Sequence, residues 1–70
     1  MTWRRVSSTT LAEIGYDVQT QMLEVRYNGG RCFRYFGVPR SVYAALMVAD
    51  SIGVYFHDWI QERYPYIQIG

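Results

Sequence analysis

Hydrophobic and polar residues alternate along the first half of the chain, whereas the second half has the spacing of amphipathic helices. The alternation covers residues 10–17, 22–27 and 31–36. Such a pattern is typical of strands that bury one face and leave the other in water. The expected buried side consists of Ala12, Ile14, Tyr16, Leu23, Val25, Tyr27, Phe33 and Tyr35. The first half therefore predicts a three-stranded antiparallel sheet of consecutive strands, a meander.

The turn between the second and third strands indicates their register. The sequence Asn28-Gly29-Gly30 favours a turn because asparagine and glycine tolerate positive φ. A three-residue loop keeps the apolar side chains of both strands on one face, whereas a two-residue loop divides them between the faces. We therefore predict the three-residue loop, with the pairs Tyr27–Arg31, Val25–Phe33 and Leu23–Tyr35.

The other face of the predicted sheet is charge-balanced. The same register places Glu24 beside Arg34, and the matching alignment of the first strand places Glu13 beside Arg26. Opposite charges paired across strands contribute roughly 0.2–1 kcal/mol each. A face whose charges neutralise one another attracts phosphate weakly.

Two helices are predicted after the sheet. Pro39 suits the first turn of a helix, and the apolar stripe after it is Val42, Ala45, Leu46 and Ala49. Ser51 is a suitable N-cap for a second helix, and Gly53 permits tight packing or a sharp bend. The predicted buried side of that helix is Ile52, Phe56, Trp59, Ile60 and Arg63. The second helix should end near residue 64 because Pro65 disfavours helical backbone before it.

These elements predict one α+β domain over residues 1–70, a three-stranded antiparallel meander followed by two helices packed on one face. Residues 66–69 are expected to form a short tail on the core. Half of the residues are hydrophobic and 17% are aromatic, which suits a dense core. A chain this short needs one, because it buries a smaller share of its surface than a larger domain does.

Composition also limits where the protein is expected to act. No apolar run approaches the length of about 18 residues that a membrane span needs. Two arginines near the N-terminus are not followed by the apolar segment of a secretory signal. The single cysteine, Cys32, is consistent with a reducing compartment. A cytoplasmic protein without membrane attachment is therefore expected.

A series of short motifs resembles one small domain family. In chain order the motifs are Ser7-Ser8, Gly15-Tyr16-Asp17, Leu23-x-Val25, Gly30, Phe33-x-Tyr35-x-Gly37-Val38-Pro39, Val42-Tyr43, Ala49-x-Ser51-x-Gly53-x-Tyr55-Phe56 and Ile60-x-x-x-Tyr64. The series resembles the KTSC domain over residues 7–64, which is nearly the whole chain. That family has Tyr-x-Tyr where this chain has Phe33-Arg34-Tyr35, which leaves no phenol at position 33 for a family role.

The resemblance implies a bacterial domain that occurs alone and at the C-terminus of some lysyl-tRNA synthetases. The family is regarded as one of unknown function, and RNA binding is suggested mainly by that attachment. An attachment is an association and not a physical argument, so the residues themselves must supply the chemistry.

No residue pattern indicates catalysis, a metal or a cofactor. The only histidine, His57, lies next to Asp58, and neighbours on a helix point about 100° apart, so we do not expect a catalytic dyad. Arg31 and Arg34 near Cys32 favour a reactive thiolate, but no base is positioned beside it. One cysteine and one histidine are too few for a structural zinc site. We therefore expect a non-catalytic module that needs no cofactor.

The net charge of +1 conceals a basic region and an acidic one. Residues 26–40 carry four arginines and no acid, interleaved with aromatic residues, whereas residues 50–62 carry three acids and no base. Arginines interleaved with aromatics suit single-stranded RNA, through phosphate contacts and base stacking. The predicted RNA-binding residues are Arg26, Arg31, Arg34, Phe36 and Arg40, with Arg4 and Arg5 as further available contacts. RNA or tRNA is the expected partner.

Protein docking is the alternative function. Tyr43 and Met47 lie off the core stripe of the first helix, and Tyr55 lies off that of the second. Tyrosine and methionine are enriched at protein interfaces. A second copy of the chain is one possible partner, because a homodimer would supplement the core of a 70-residue domain.

Overall fold

The chain forms five strands and two helices in the computed structural model, which describes all 70 residues. In chain order the elements are β1 (Thr2–Arg5), β2 (Leu11–Asp17), β3 (Met22–Tyr27), β4 (Cys32–Tyr35), α1 (Arg40–Met47), α2 (Ile52–Phe56) with its π-helical continuation His57–Gln61, and β5 (Tyr66–Gln68). None of the helices has the length and apolar character needed to cross a membrane.

One sheet contains all five strands in the order β1-β2-β3-β4-β5, and every neighbouring pair is antiparallel. The α+β class and the central meander of β2, β3 and β4 are confirmed, but the prediction of only three strands is wrong. All residues of β1 and β5 are exposed, so neither edge strand shows the buried alternation that reveals a strand in a sequence. The predicted tail at residues 66–69 is β5.

The predicted register of the β3–β4 hairpin is confirmed. Leu23 lies opposite Tyr35 and Val25 opposite Phe33. The backbone N–H of Tyr27 donates to the carbonyl of Arg31 at 2.8 Å. Three residues therefore form the loop, and the apolar side chains of both strands remain on one face.

Both predicted ion pairs are present on the face that the helices leave open. Arg34 Nε lies 2.6 Å from Glu24 Oε2, and Arg26 Nη1 lies 2.8 Å from Glu13 Oε1. Glu24 is only 8% exposed, so Arg34 supplies the partner that a buried carboxylate requires.

A β-bulge changes the predicted buried side of β2. The partners of Leu11 and Glu13 are Tyr27 and Arg26, which are adjacent, so Ala12 is the extra residue on this strand. Leu11 is fully buried and Ala12 is half-exposed. The prediction of Ala12 as a core residue is therefore wrong, because the bulge interrupts the period of two.

Both helices pack on the same face of the sheet, as predicted. Tyr43 of α1 stacks on Tyr16 of β2, and Phe56 of α2 contacts Tyr35 of β4 edge-to-face at 5.4 Å. The ten apolar residues of the core are Leu11, Ile14, Tyr16, Leu23, Val25, Tyr35, Val38, Leu46, Phe56 and Ile60.

The start of α2 has the local structure that its sequence indicates. Ser51 Oγ accepts the backbone N–H of Val54 at 3.3 Å, which confirms the predicted N-cap. Gly53 packs tightly, since a Cβ there would lie 2.8 Å from Thr10 Oγ1. Close contact between α2 and the segment before β2 therefore requires a residue without a side chain.

The π-helical segment moves Trp59 out of the core. Its i→i+5 hydrogen bonds place more residues in each turn than an α-helix does. Ile60, four residues after Phe56, takes the buried position, and Trp59 is 49% exposed. The guanidinium of Arg63 lies 4.5 Å from the centroid of the Trp59 ring. The prediction that Trp59 and Arg63 face the core is therefore wrong.

Candidate functional site

The arginines predicted to bind RNA do not form one surface. Arg26 and Arg34 lie on the open face of the sheet, where Glu13 and Glu24 neutralise them. The hairpin and the start of α1 carry the other two, Arg31 and Arg40. The fold therefore separates residues that lie within 15 positions in the sequence.

Arg31 and Phe36 belong to opposite ends of the β3–β4 hairpin. Arg31 is exposed beside the turn, with its guanidinium 6.0 Å from the centroid of the Tyr27 ring. Phe36 is half-buried just after β4, and its backbone N–H donates to the carbonyl of Pro65. Neither residue lines the cleft that contains Arg40.

Arg40 instead lines a cleft of about 530 Å³ between β1, the β2–β3 turn and α1. We call this the basic cleft and define it by Arg4, Tyr16, Asp17, Gln19, Arg40 and Tyr43. Arg4 pairs with Ile14 across β1 and β2, so it lies on the helix side of the sheet. An edge strand that sequence analysis missed thus brings Arg4 to the same cleft as Arg40.

A stacked pair of tyrosines forms part of the cleft wall. The rings of Tyr16 and Tyr43 are 4.4 Å apart between centroids and within 7° of parallel. The hydroxyl of Tyr16 donates to the carbonyl of Val38 at 2.7 Å, which holds the stack against the core. Burial raises the pKa of Tyr16, and the nearby charge of Arg40 partly offsets that rise. The pair is therefore a fixed, neutral aromatic surface beside a cation.

The two arginines of the basic cleft have no acidic partner. No carboxylate lies within 4.0 Å of Arg4 or Arg40, because the three ion pairs of the molecule involve other residues. Asp17 also lines the cleft, but its carboxylate accepts the backbone N–H of Gln19 at 3.0 Å. That hydrogen bond lowers the pKa of Asp17. The guanidinium groups of the cleft therefore remain available to an anionic ligand.

A smaller cleft of about 320 Å³ lies around Arg5 and Arg26. Glu13 lines it as well and is bonded to Arg26. An anion bound there would compete with the carboxylate of Glu13 for Arg26, so the basic cleft is the better anion site.

His57 and Cys32 are the side chains of this chain that are most commonly used in catalysis. Contrary to expectation, His57 Nδ1 lies 3.1 Å from Asp58 Oδ1, because exposed side chains in the wide π-helical turn can bend towards each other. Both side chains are mostly exposed. Cys32 lies opposite Arg26 in the sheet, and its Sγ donates a weak hydrogen bond to the carbonyl of Gly30 at 3.6 Å. No cluster of three or more metal-ligating side chains occurs.

The side chains predicted for protein docking are partly occupied by packing inside the domain. Tyr43, Met47 and Tyr55 are half-buried against the core. The exposed aromatic surface of the helices is Trp59, which lies between Tyr55 at 6.3 Å and the guanidinium of Arg63. The apolar stripe predicted from the sequence placed Trp59 on the buried side, because that prediction rests on regular α-helical turns.

Comparison with known proteins gives matches over almost the whole chain. The sequence profile of the KTSC domain matches residues 7–64. The chain is similar to the crystal structure of a KTSC domain protein from Yersinia pestis, with a TM-score of 0.92 and 33% identity over 99% of this chain and 97% of that one.

Two kinds of relative are found among the similar sequences. An uncharacterised protein of Stutzerimonas stutzeri is 38% identical over 65 residues, which cover 91% of this chain and 92% of that protein. A lysine–tRNA ligase of Trichormus variabilis is 36% identical over 60 residues, 86% of this chain but only 11% of the ligase. The same domain therefore occurs nearly alone and as a small part of a tRNA-charging enzyme.

Proposed function

The chain belongs to the KTSC domain family, and we propose that it is a non-catalytic module that binds single-stranded RNA segments, including those of tRNA, in the basic cleft. The observation that carries this proposal is the pair of unpartnered arginines, Arg4 and Arg40, in the same cleft as the Tyr16–Tyr43 stack. Arginine binds phosphate oxygens through bidentate hydrogen bonds, and bases stack on aromatic rings. The cleft offers both contacts within one concave surface.

The local electrostatics of the basic cleft favour the binding of phosphate groups. The first residue of α1 is Arg40, so the positive end of the helix dipole lies beside that guanidinium. An extended polyanion can place one phosphate at Arg4 and another at Arg40. Tyr43 is half-buried, with one face of its ring stacked on Tyr16, and the rest of its side chain lines the cleft, where a base can stack on it.

The relatives supply independent support for RNA. Three of the similar sequences are lysine–tRNA ligases, in which this domain makes up about a tenth of the chain. In such a ligase, the tRNA that the enzyme charges is a polyanion held close to this domain, so it is the nucleic acid that the domain would meet first. We propose the cytoplasm, where tRNA is charged, as the location.

We expect weak, salt-dependent binding of a labelled single-stranded RNA. Two phosphate contacts give a slope of about −1.4 in log K against log salt, so affinity should fall about sevenfold between roughly 50 and 200 mM salt. Fluorescence anisotropy with single-stranded RNA and with tRNA measures this directly.

Paired variants assign the binding to the cleft. Arg4→Gln with Arg40→Gln should abolish the salt-dependent binding, whereas Arg26→Gln with Arg63→Gln removes the same charge elsewhere and should leave most of it. Equal loss in both double variants would show a diffuse charge effect and contradict the cleft assignment. An absence of binding at tens of micromolar protein and low salt would contradict RNA binding as such, because non-specific contacts alone should appear there.

A further inference from the structure

The outer edge of β5 has unpaired backbone groups. The N–H of Phe36 donates to the carbonyl of Pro65, and the N–H of Ile69 donates to the carbonyl of Cys32, both at 2.9 Å. Alternate residues of an antiparallel strand direct their backbone groups to the same neighbour. Since residues 65 and 69 bond to the β4 side, the N–H and C=O groups of Tyr66 and Gln68 point away from the sheet.

This edge lacks the features that normally prevent strand pairing. Natural sheets protect their edges with charged side chains, bulges or covering loops. No charged residue occurs between Tyr64 and Gly70, and all of β5 is exposed. Ile67 is 48% exposed on the open face, next to the similarly exposed Ile69. The opposite edge, β1, does carry two charges, Arg4 and Arg5.

We propose that a second copy of the chain pairs with this edge, β5 against β5, about a two-fold axis through Ile67. In that antiparallel register Tyr66 of one copy lies opposite Gln68 of the other, and the outward backbone groups of both form four hydrogen bonds. The two Ile67 side chains meet across the axis, where facing side chains are closest. Such an interface uses the same patch twice, as a two-fold dimer requires.

The chemistry of the edge favours a second copy over a different partner. Like charges facing each other across the axis would oppose self-pairing, and this strand has none. A charged peptide would find no complementary side chain there, whereas an identical uncharged strand matches both the hydrogen bonds and the apolar face. The pairing leaves the basic cleft open, because that cleft lies at the β1 edge, at the far side of each sheet. It therefore holds or fails independently of RNA binding.

Sedimentation velocity over a concentration series tests the pairing. We expect the mass to rise from 8.2 kDa towards twice that value between about 10 µM and about 1 mM, the range suited to a small interface. Gln68→Pro removes the outward N–H together with the hydrogen bond that the side-chain Nε2 donates to the carbonyl of Gly70, and it allows the extended backbone that β5 already has. It should weaken the dimer at least tenfold.

A second variant and a control complete the test. Ile67→Lys places two like charges across the axis and should also weaken the dimer at least tenfold, whereas Val48→Lys adds the same charge at an exposed site off the sheet and should not. Circular dichroism identifies any variant that fails to fold. A mass of 8.2 kDa at every concentration would overturn the proposal. So would a dimer that folded Gln68→Pro and Ile67→Lys form as readily as the unaltered chain.

Discussion

Replacement of Phe56 by alanine is expected to remove about 3–5 kcal/mol of folding free energy, the usual cost of deleting a buried phenylalanine. Phe56 is 1% exposed and contacts Tyr27 and Tyr35 edge-to-face. It therefore joins α2 to both β3 and β4. A domain of this length has a total stability of roughly 4–10 kcal/mol at about 0.05–0.15 kcal/mol per residue. The variant should lose a large part of that stability and be partly unfolded at physiological temperature.

Urea unfolding followed by far-ultraviolet circular dichroism measures this loss. Val54→Ala is the matched control in the same helix, because Val54 is exposed and lies outside the core. It should shift the stability by less than about 0.5 kcal/mol. Phe56→Leu, which keeps most of the apolar volume, should fall between the two. A Phe56→Ala protein as stable as the control would show that α2 does not pack on the sheet as described.

Alkaline pH is expected to unfold the domain through its buried tyrosines. Burial raises the pKa values of Tyr16, Tyr27 and Tyr35. In the unfolded chain these groups ionise near pH 10, whereas the folded protein keeps them neutral. Above about pH 10 the unfolded state binds fewer protons than the folded state, so stability falls as pH rises, by about 1.4 kcal/mol per pH unit for each tyrosine. Tyr35 has the largest of the three pKa shifts and should contribute most to this fall.

The urea midpoint at a series of pH values tests this linkage. It should stay level from about pH 7 to about pH 9 and then fall steeply, since the stability these groups contribute is complete below the unfolded pKa. Tyr35→Phe removes the most buried of the three phenols, so the fall in stability above about pH 10 should become shallower. A midpoint that is unchanged up to pH 11 would show that the phenols are in contact with water.

The parts of the fold that the sequence predicts correctly are those in which apolar and polar residues alternate regularly. Leu23, Val25, Phe33 and Tyr35 alternate on both sides of a glycine-containing turn, so only one register places all four on the same face of the sheet. That register also determined the pairing of Glu24 with Arg34. The edge strands could not be predicted in this way, because short exposed strands have no buried side to mark them. The pairing of β1 with β2 and of β5 with β4 depends on the neighbouring strand rather than on a pattern in the edge strand itself.

The second helix shows a different limit of predicting buried positions from the spacing of apolar residues. The spacing of Phe56, Trp59 and Ile60 fits one face of an α-helix, and sequence alone gives no sign of the π-helical turn. The turn is adopted in the folded chain, where Ile60 fills the core and the larger Trp59 remains outside. The exposed stack of Trp59 with Arg63 is a consequence of that turn.

The candidate site was predicted only in part. The sequence predicts Arg40 as a basic residue near aromatic ones and Arg4 as an available contact, but no pattern in it places the two side chains together. Their proximity depends on β1, which sequence analysis missed. The expected contribution of Arg26 and Arg34 is reduced by ion pairs that the predicted register itself contained.

The most direct test of the proposed RNA site is a titration of the ¹⁵N-labelled domain with a short single-stranded RNA, followed by two-dimensional NMR at low salt. We predict that the largest shifts occur at the backbone amides of Thr2, Arg4, Gln19, Arg40 and Tyr43, which surround the basic cleft. The amides of β5 and of the β3–β4 turn should change little. Shifts centred on residues 28–34, or no shifts at all, would contradict the assignment of RNA binding to this cleft.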